Sequence, residues 1–326
     1  MQEKIRWGIL GPGNIARKFA AGLVDEPGSQ LVAVGSRSKE RAETFAEEFG
    51  TPNRHDSYEA LAADPEVDAI YIATPHSSHM EHTLLCLEAG KAVLCEKPFA
   101  INAEQSRRMI DAARAKGVFL MEAMWTRFLP LVKEVRRRVA NGDIGELRML
   151  SADFGFRCGP NPEGRLMNPG LGGGGLLDVG IYPITLAYLL LGKPREISSK
   201  AHIGATGVDE QAAILLKWSA GELALLHTAV RTMTPMEAFL LGTEGRIHML
   251  RPWWRGTKYG LAAGDEEQVF EAPFEGNGYQ YEAAEVANCL REGKTESEAV
   301  PLDETLEIME ILDTCRAQWG LKYPME

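Results

Sequence analysis

The strongest constraint on the fold is a glycine-rich motif that directly follows the first apolar run of the chain. Residues 11–16 read GPGNIA, and the apolar run before them spans residues 5–10. In this G-x-G-x-x-G/A pattern, Gly11 makes a tight turn, Gly13 lets the backbone approach a pyrophosphate and Ala16 keeps helix and strand close. The helix N-terminus that follows offers unpaired N–H groups to phosphates, so the motif predicts a dinucleotide-binding Rossmann domain. The predicted cofactor contacts within it are Gly11, Gly13, Asn14 and Ile15.

The rest of the first 120 residues fits that prediction, because short apolar runs alternate with amphipathic stretches. Strands that are apolar on both faces are expected where helices cover both sides of a parallel sheet. The predicted strands are residues 5–10, 30–34, 69–73, 92–95 and 118–121. The predicted helices are residues 15–24, 39–49, 79–89 and 103–115. We therefore expect an α/β Rossmann domain with a doubly wound parallel sheet at residues 1–124.

The pattern changes in the second part of the chain, where strand-like segments follow one another with turn signals between them. Ser219-Ala220-Gly221, for example, is a plausible hairpin loop. The predicted strands are residues 146–156, 196–203, 211–218, 222–230, 236–241 and 245–250, and the predicted helices are residues 130–140, 278–292 and 302–319. These segments predict an α+β substrate-binding and oligomerisation domain at residues 125–326, with a large, mostly antiparallel open sheet. The C-terminal helix could pack back on the first domain.

Composition excludes several other classes of protein. A length of 326 residues suits two domains, and the net charge of −11 argues against nucleic acid or an anionic membrane as partner. The longest apolar region, residues 171–192, is interrupted by Asp178, Pro183 and several glycines, so we do not expect it to span a membrane. The five cysteines form no C-x-x-C pair, which favours a reducing, cytoplasmic location and no metal site.

The end of the second predicted strand bears on the choice of cofactor. NAD enzymes usually place Asp or Glu there to bind the ribose hydroxyls, whereas this chain has Ser36, Arg37 and Ser38. A cation beside hydroxyl groups suits a 2′-phosphate, so NADP(H) is preferred as the cofactor and NAD remains possible. The alternative is that Arg37 is a solvated surface residue.

Two further strand ends carry polar residues, at residues 73–79 and 95–98. Ligands of open parallel sheets bind outside the carboxyl ends of the strands, so these segments are expected to face the cofactor. The residues assigned to cofactor contacts here are Thr74, Pro75, His76, His79, Glu96 and Lys97. For His76 and His79 a helix-capping role is an equal alternative, and a lysine beside a turn proline is commonly a surface residue.

Together these motifs resemble the glucose–fructose oxidoreductase/inositol dehydrogenase (Gfo/Idh/MocA) family. The resemblance is carried by residues 11–16, 73–76 (ATPH), 96–98 (EKP) and 173–182 (GGGLLDVGIY). Residues 121–128 (MEAMWTRF) look most like the branch of dimeric dihydrodiol dehydrogenases and NADP-dependent D-xylose dehydrogenases.

The resemblance implies that Lys97 is the catalytic lysine, with Asp178 and Tyr182 as the acid and phenol of the substrate domain. Tyr182, made more acidic by the Lys97 ammonium, would accept the proton released when a carbinol gives up hydride. Asp178 would hold a second substrate hydroxyl and orient Lys97. Pro183 would clash with the carbonyl of Val179 in a regular helix, so this helix is expected to be kinked or to start late.

The expected activity is hydride transfer between NADP(H) and a carbinol of a sugar or vicinal (dihydro)diol, at a CH–OH or CH–CH(OH) group. Two rivals stay open: an NAD-linked inositol or sugar dehydrogenase, and a regulator that senses dinucleotide without catalysis. The resemblance also suggests a homodimer or tetramer formed through the open face of the C-terminal sheet. The segment Trp253-Trp254-Arg255 could pack on that sheet or lie in the interface. The candidate substrate-pocket residues are Trp125, Arg127, Phe154, Phe156 and Arg157.

Overall fold

The computed structural model describes residues 4–264 and 266–326, which form two compact units. The first unit comprises Met1–Trp125 and Glu275–Leu306, and the second comprises Thr126–Phe274 and Glu307–Glu326. The strands are β1 (Ile5–Leu10), β2 (Ser29–Gly35), β3 (Asn53–His55), β4 (Ala69–Ile72), β5 (Ala92–Glu96), β6 (Leu120–Ala123), β7 (Leu147–Gly155), β8 (Glu196–Ile203), β9 (Asp209–Lys217), β10 (Leu223–Ala229), β11 (Ala238–Gly242), β12 (Arg246–Met249), β13 (Lys258–Ala263) and β14 (Glu266–Glu271). The helices are α1 (Asn14–Leu23), α2 (Lys39–Phe49), α3 (Tyr58–Ala62), α4 (His79–Glu88), α5 (Ala103–Lys116), α6 (Pro130–Ala140), α7 (Ile181–Leu191), α8 (Gln280–Arg291) and α9 (Leu302–Trp319).

The sheet of the first unit has the strand order β3-β2-β1-β4-β5-β6, with every pair parallel. Strands β4 and β5 are buried along their whole length, which explains why their sequences are almost entirely apolar. The strand order reverses between β1 and β4, and in sheets of this kind ligands bind at that reversal, beyond the carboxyl ends of the strands. The predicted Rossmann fold is confirmed.

An aromatic stack fixes α1 on this sheet. The ring of Phe19 in α1 lies parallel to that of Tyr71 in β4 at 3.9 Å, and it meets the ring of Trp7 in β1 edge-on at 5.2 Å. Aromatic pairs of this kind contribute about 0.5–1.5 kcal/mol each beyond their buried area. The stack therefore holds the glycine-rich turn, which precedes α1, in a fixed position relative to the strand ends.

The sheet of the second unit has the order β14-β13-β12-β11-β7-β10-β9-β8 and is antiparallel except for the parallel pair β7–β10. The predicted mostly antiparallel sheet is therefore confirmed. Helix α7 packs against β7 and β10, and buried and exposed residues alternate along β9. One face of these central strands is thus covered, and the other is open.

One apolar segment of the second unit, Pro169–Leu191, is long and hydrophobic enough to cross a membrane by composition. However, 78% of its most apolar stretch is buried inside the fold, as in the core helix of a folded domain. The segment contains a second glycine-rich turn, at residues 172–175, followed by a π-helical turn at Leu176–Gly180 and by α7. Its apolar character is explained by packing against the sheet.

Candidate active site

The glycine-rich turn after β1 opens a cleft at the end of the parallel sheet. Gly11 has φ = +93°, and a Cβ there would lie 2.9 Å from Cγ2 of Thr74, so only glycine fits without strain. At Gly13 a Cβ would meet nothing within 4 Å, so the backbone is open to a ligand. No side chain caps the N-terminus of α1, whose first residues are Asn14 and Ile15, and its N–H groups remain available for phosphate oxygens. These features fit the diphosphate of a dinucleotide.

The cleft has a volume of about 360 Å³ and continues to the start of α2. Its lining residues are Gly11, Pro12, Gly13, Ser36, Arg37, Ser38, Arg41, Tyr58, Ala73, Thr74 and Pro75. Of the residues predicted at the ends of β1, β2 and β4, the structure brings these to a single cavity: Gly11, Gly13, Ser36, Arg37, Thr74 and Pro75. Arg41 and Tyr58 were not predicted from the sequence, because Arg41 lies inside a helix with an ordinary charged face and α3 is only five residues long.

The end of this cleft at α2 is rich in donors. The hydroxyl of Ser36 accepts the N–H of Ser38 (3.1 Å), and Ser38 caps α2 by accepting the N–H of Arg41 (3.4 Å). Arg37 and Arg41, both exposed, line the same end of the cleft. Cationic side chains are unfavourable at the positive N-terminal end of a helix unless a bound anion offsets the repulsion. This arrangement therefore suits a phosphate group.

The turn after β4 is held internally by histidines. Both ring nitrogens of His79, which is fully buried, lie at hydrogen-bond distance from backbone carbonyls: Nδ1 is 2.8 Å from the oxygen of Pro98 and Nε2 is 2.9 Å from that of Thr74. Burial lowers the pKa of His79 to about 4, despite these two carbonyls. His79 therefore holds loop carbonyls and does not cap a helix, and its contact with the cofactor stays a prediction. The buried ring of His76 packs edge-on against it at 5.7 Å.

Lys97 follows β5 directly, and its backbone is anchored by the residue before it. The carboxylate of Glu96 accepts the Tyr71 hydroxyl on Oε1 and the N–H of Lys97 on Oε2 (3.1 Å). Glu96 is buried, whereas Lys97 is partly exposed. Both carboxylate oxygens of Glu96 thus have partners inside the fold, and their effect is to fix the backbone of the Glu-Lys-Pro segment. The predicted contacts of Glu96 and Lys97 with the cofactor stay predictions.

In the second unit, the predicted acid, Asp178, and the predicted phenol, Tyr182, lie on the helical segment after the second glycine-rich turn. Asp178 is in the π-helical turn Leu176–Gly180, in which the N–H of Ile181 donates to the carbonyl of Leu176 five residues back. Helix α7 then begins at Ile181, two residues before Pro183. A π turn is wider than an α turn, which avoids the register in which the proline ring would meet a carbonyl. The helix is thus continuous from the π turn into α7 and does not start late; the π turn replaces regular α-helical geometry just before Pro183.

Asp178 and Tyr182 are both buried and have different surroundings. The carboxylate of Asp178 is paired with Arg165, with Nη1 to Oδ1 at 2.6 Å and Nη2 to Oδ2 at 3.5 Å. The ring of Tyr182 packs against Phe154 (5.3 Å) and Trp254 (6.0 Å). Arg165 was missed in the sequence because nothing in an exposed loop marks which arginine reaches a distant acid.

The three aromatic side chains Phe154, Trp254 and Tyr182 form a cluster. Phe154 and Trp254 are stacked at 4.5 Å with their planes 10° apart, and Phe156 lies 6.5 Å from Phe154. Trp253, by contrast, is buried and donates its indole N–H to the carbonyl of Asp153 (2.7 Å). The segment 253–255 is therefore divided: Trp253 packs on the sheet, and Trp254 joins the cluster.

The remaining predicted pocket residues lie in various places. Trp125 belongs to the first unit, where its ring stacks on Tyr279 at 4.7 Å. Arg127 is buried in the second unit, while Arg157 is exposed and joins Arg231 through a backbone bridge. The structure brings Phe154 and Phe156, but not Arg157, to the aromatic cluster. Over residues 4–264 and 266–326, no group of three or more His, Cys, Asp or Glu side chains is placed to hold a metal ion.

This fold and these residues define an NAD(P)-dependent oxidoreductase with a Rossmann domain and a separate substrate domain. Residues 5–124 match the model of the oxidoreductase family with an NAD-binding Rossmann fold, and residues 132–248 match the GFO/IDH/MocA C-terminal domain. The chain belongs to the GFO/IDH/MocA family of oxidoreductases.

Relatives of known activity cover almost the whole chain. The chain is 40% identical to trans-1,2-dihydrobenzene-1,2-diol dehydrogenase of Mus musculus and 38% identical to that of Homo sapiens, over 99% of each sequence. Its fold is similar to that of KijD10, a 3-ketoreductase from Actinomadura kijaniata in complex with NADP and TDP-benzene (TM-score 0.88, 29% identity, 97% of this chain and 98% of that one). It is also similar to aldose-aldose oxidoreductase from Caulobacter crescentus (TM-score 0.89, 25% identity, 97% of each chain). These relatives agree with the predicted diol or sugar oxidoreduction.

Proposed function

We propose that this protein is an NADP(H)-dependent dehydrogenase that oxidises a cyclic vicinal diol, with a trans-dihydrodiol as its substrate class. The observation that carries the proposal is a buried acid and a buried phenol, Asp178 and Tyr182, four residues apart on one helical segment beside stacked aromatic rings. Two polar groups suit two neighbouring hydroxyls, and flat rings suit a flat, unsaturated carbocycle. The name of the 40% identical mouse relative supports the same substrate class.

In the proposed reaction, the chain's own residues handle the proton. The chemistry that bound NADP⁺ supplies is acceptance of the hydride at the nicotinamide ring. Oη of Tyr182 takes the proton from the reacting hydroxyl, and the ammonium of Lys97 stabilises the phenolate that forms. Asp178 accepts a hydrogen bond from the neighbouring hydroxyl, while Arg165 holds its carboxylate in place. The product is a hydroxyketone, which for a dihydrobenzene diol tautomerises to a catechol.

A substrate screen tests this proposal against its rivals. Reduction of NADP⁺ and of NAD⁺ is measured with trans-1,2-dihydrobenzene-1,2-diol, pentoses, hexoses and inositols. The proposal expects the highest kcat/KM for the diol with NADP⁺. A best activity with NAD⁺ and an inositol would support the NAD-linked rival, and binding of dinucleotide without turnover of any compound would support a regulator.

The preference for NADP(H) is proposed from Arg37, in the turn before α2, and Arg41, in its first turn, which line the cleft with Ser36 and Ser38. Arg37→Asp is expected to weaken NADP⁺ binding by about 1.5–3 kcal/mol, the scale of hydrogen bonds to a charged group, and to spare NAD⁺. Titration of both dinucleotides measures the effect. Lys39→Asp is the matched control, since it makes the same change of charge two residues away, outside the lining of the cleft. Unchanged NADP⁺ affinity in the Arg37 variant would refute the 2′-phosphate role.

We also propose a homodimer formed by the open face of the second unit's sheet. Met149, Leu225 and Leu215 on the adjacent strands β7, β10 and β9 are 38%, 46% and 41% exposed, so this face has an apolar centre. Apolar surface of this kind on a sheet is usually covered by a partner, and here we assign that place to a second copy of the chain.

Sedimentation tests the assembly. The wild type is expected to sediment at about twice its 35.8 kDa chain mass at micromolar concentration. Leu225→Glu places a charge at the centre of the apolar face and should yield monomers that still bind NADP⁺. Val24→Glu is the control, because Val24 is equally apolar and 81% exposed but belongs to the first unit. A monomeric wild type at these concentrations would contradict the proposed dimer.

We propose the cytoplasm as the location, because an odd, dispersed set of cysteines suits a reducing compartment. Each of the cysteines is free, and all except Cys158 are buried. Burial raises the pKa of Cys86 and of Cys289 to about 12, so these thiols are protected from oxidation. Fractionation of cells that produce the protein would test the location.

A further inference from the structure

The second glycine-rich turn, before Asp178, needs an unusual backbone conformation. Gly174 has φ = +119°, and a Cβ at this position would lie 2.2 Å from Oδ1 of Asp209. Any other residue would be strained and would also collide with that carboxyl. The turn is therefore shaped around one acidic side chain from the start of β9.

Asp209 holds the first turn of the segment that carries Asp178 and Tyr182. The side chain is fully buried, and its Oδ2 accepts the N–H of Leu176 at 2.6 Å. A side-chain oxygen that accepts the first N–H groups of a helix fixes where the helix begins. Oδ1 is buried and has no hydrogen-bond partner among the described residues, so the carboxyl is not satisfied as an ordinary core group would be.

The chain's C-terminal residues hold the same turn from another side. The buried Tyr323 donates its hydroxyl to the carbonyl of Gly173 at 2.6 Å, and its own N–H donates to the carboxylate of Glu326. Arg316, which is 4% exposed, pairs with Glu326 at 2.7 Å and with Asp313 at 2.6 Å. Its guanidinium lies 5.1 Å from the centre of the Tyr323 ring. The tail is thereby fixed, and with it the hydroxyl that holds the turn.

We propose that Asp209 is a positioning residue, which holds the turn at residues 173–176 and thereby places Asp178 and Tyr182 for the reaction, with Tyr323 as its auxiliary. This inference rests on the proposed function, because that proposal gives Asp178 and Tyr182 their roles. Asp209 lies in β9, 33 residues along the chain from Leu176, and its effect passes through a backbone hydrogen bond.

The kinetic test compares Asp209→Ala with Asp209→Asn. Alanine removes the acceptor of the Leu176 N–H, so kcat on the best substrate of the screen should fall by about 10- to 100-fold, the scale of an effect from misplaced reacting groups. The Kd for NADP⁺ should change less than about twofold, because the cofactor cleft belongs to the first unit. Asparagine retains an acceptor oxygen and should restore kcat to within about threefold. Near-normal kcat in the alanine variant, or an asparagine variant as impaired as the alanine one, would overturn the proposal.

Two further variants sharpen this comparison. Glu210→Gln is the matched control, since it neutralises the next residue of β9, whose carboxylate lies 3.9 Å from Nε of Arg231; its kcat should stay at the wild-type value. Tyr323→Phe removes only the hydroxyl on Gly173, and we expect kcat to fall about 3- to 10-fold, as for one lost hydrogen bond. If Asp209→Ala does not fold, Tyr323→Phe and Asp209→Asn decide: wild-type kcat in Tyr323→Phe contradicts the holding of this turn.

Hydrogen exchange gives a readout that needs no substrate. In the NADP⁺-bound protein, the amides of residues 174–176 should exchange at least about tenfold faster in Asp209→Ala than in the wild type, and at nearly the wild-type rate in Asp209→Asn. Equal exchange in all three proteins would overturn the role of Asp209 even if the enzyme turns over the diol. Failure of every substrate with faster exchange in the alanine variant would contradict the proposed function but support the holding of the turn.

Discussion

Replacing Lys97 with methionine is expected to lower kcat by about 10²–10⁴, the range for loss of a general acid–base group, while NADP⁺ binding stays nearly intact. The reason is that the ammonium is proposed to stabilise the Tyr182 phenolate and is not needed to hold the dinucleotide. The structure supports a defined position for this residue, because the Glu96 carboxylate accepts its N–H and is itself held by Tyr71. Stopped-flow or steady-state reduction of NADP⁺ measures the loss.

The other end of the same strand provides a matched control. Lys91 immediately precedes β5 as Lys97 follows it, and its ammonium donates to the carbonyls of Asp64 and Val67. Lys91→Met makes the same chemical change, so it should reduce stability but leave kcat close to the wild-type value below the unfolding temperature. Near-normal turnover in Lys97→Met would show that Lys97 is a surface residue, and the family-based assignment would fail.

Coupling between the two residues is a separate expectation. Tyr182→Phe should lower kcat to a similar extent, and the double variant should be little worse than either single one, because residues acting as a unit are not additive. Wild-type oxidation should also rise with pH through one apparent ionisation that belongs to the pair, and Lys97→Met should remove it or shift it upward. Multiplicative losses in the double variant would contradict a joint proton transfer.

The parallel sheet could be predicted because its strands carry strong local signals. β1, β4 and β5 are apolar and buried, and the glycine-rich motif marks the strand–turn–helix between β1 and α1. β3 and α3 were missed, since segments of three and five residues are too short to show a period. β13 and the edge strand β14 were also missed; β14 reads EEQVFE and is mostly exposed, so no buried face imposes an apolar pattern on it.

Turns were predictable where their chemistry is local. The loop Ser219-Ala220-Gly221 does join the antiparallel strands β9 and β10, and Gly221 has the positive φ that such a loop requires. Pro183 likewise indicated that a regular helix could not run through it. The π turn was not predictable, because it is held by a tertiary contact: the N–H of Leu176, its first residue, donates to Asp209, 33 residues away in the sequence.

The residues of the candidate site also fall into those with a local sequence signal and those without one. Gly11, Gly13 and Arg37 belong to motifs that can be read locally, and the structure places them around one cleft. Arg165 and Trp254 could not be predicted, because their roles depend on partners that are brought close only by folding. Short-range patterns thus identify the backbone that binds a cofactor, whereas the side chains around a substrate depend on tertiary contacts.

The pH dependence of stability gives an independent test of the environment of Asp209. Burial raises the pKa of its carboxyl from 3.8 to about 7, although the N–H groups of Leu176 and Gly175 and the charge of Arg316 oppose the shift. The other titratable groups that interact with it are Cys315 and Tyr323. Below pH 3.8 the group is protonated in both the folded and the unfolded chain. Between pH 3.8 and 7 only the unfolded chain ionises, so the free energy of unfolding falls as the pH rises; above pH 7 both forms are ionised and the loss is constant.

Asp209→Asn removes this titration while keeping an acceptor for the turn. The difference in unfolding free energy, variant minus wild type, should therefore increase by about 4 kcal/mol between pH 4 and pH 7.5, since each pKa unit is worth about 1.4 kcal/mol. The wild-type curve alone cannot isolate this effect. The pKa of His79 is lowered to about 4, so His79 costs stability as the pH falls through the same range, whereas the raised pKa of the buried Glu282 acts in the same direction as Asp209. Subtraction of the two curves cancels both contributions. Urea unfolding at half-unit pH steps measures the difference, and a difference that does not change with pH would contradict the buried environment of Asp209 in the turn.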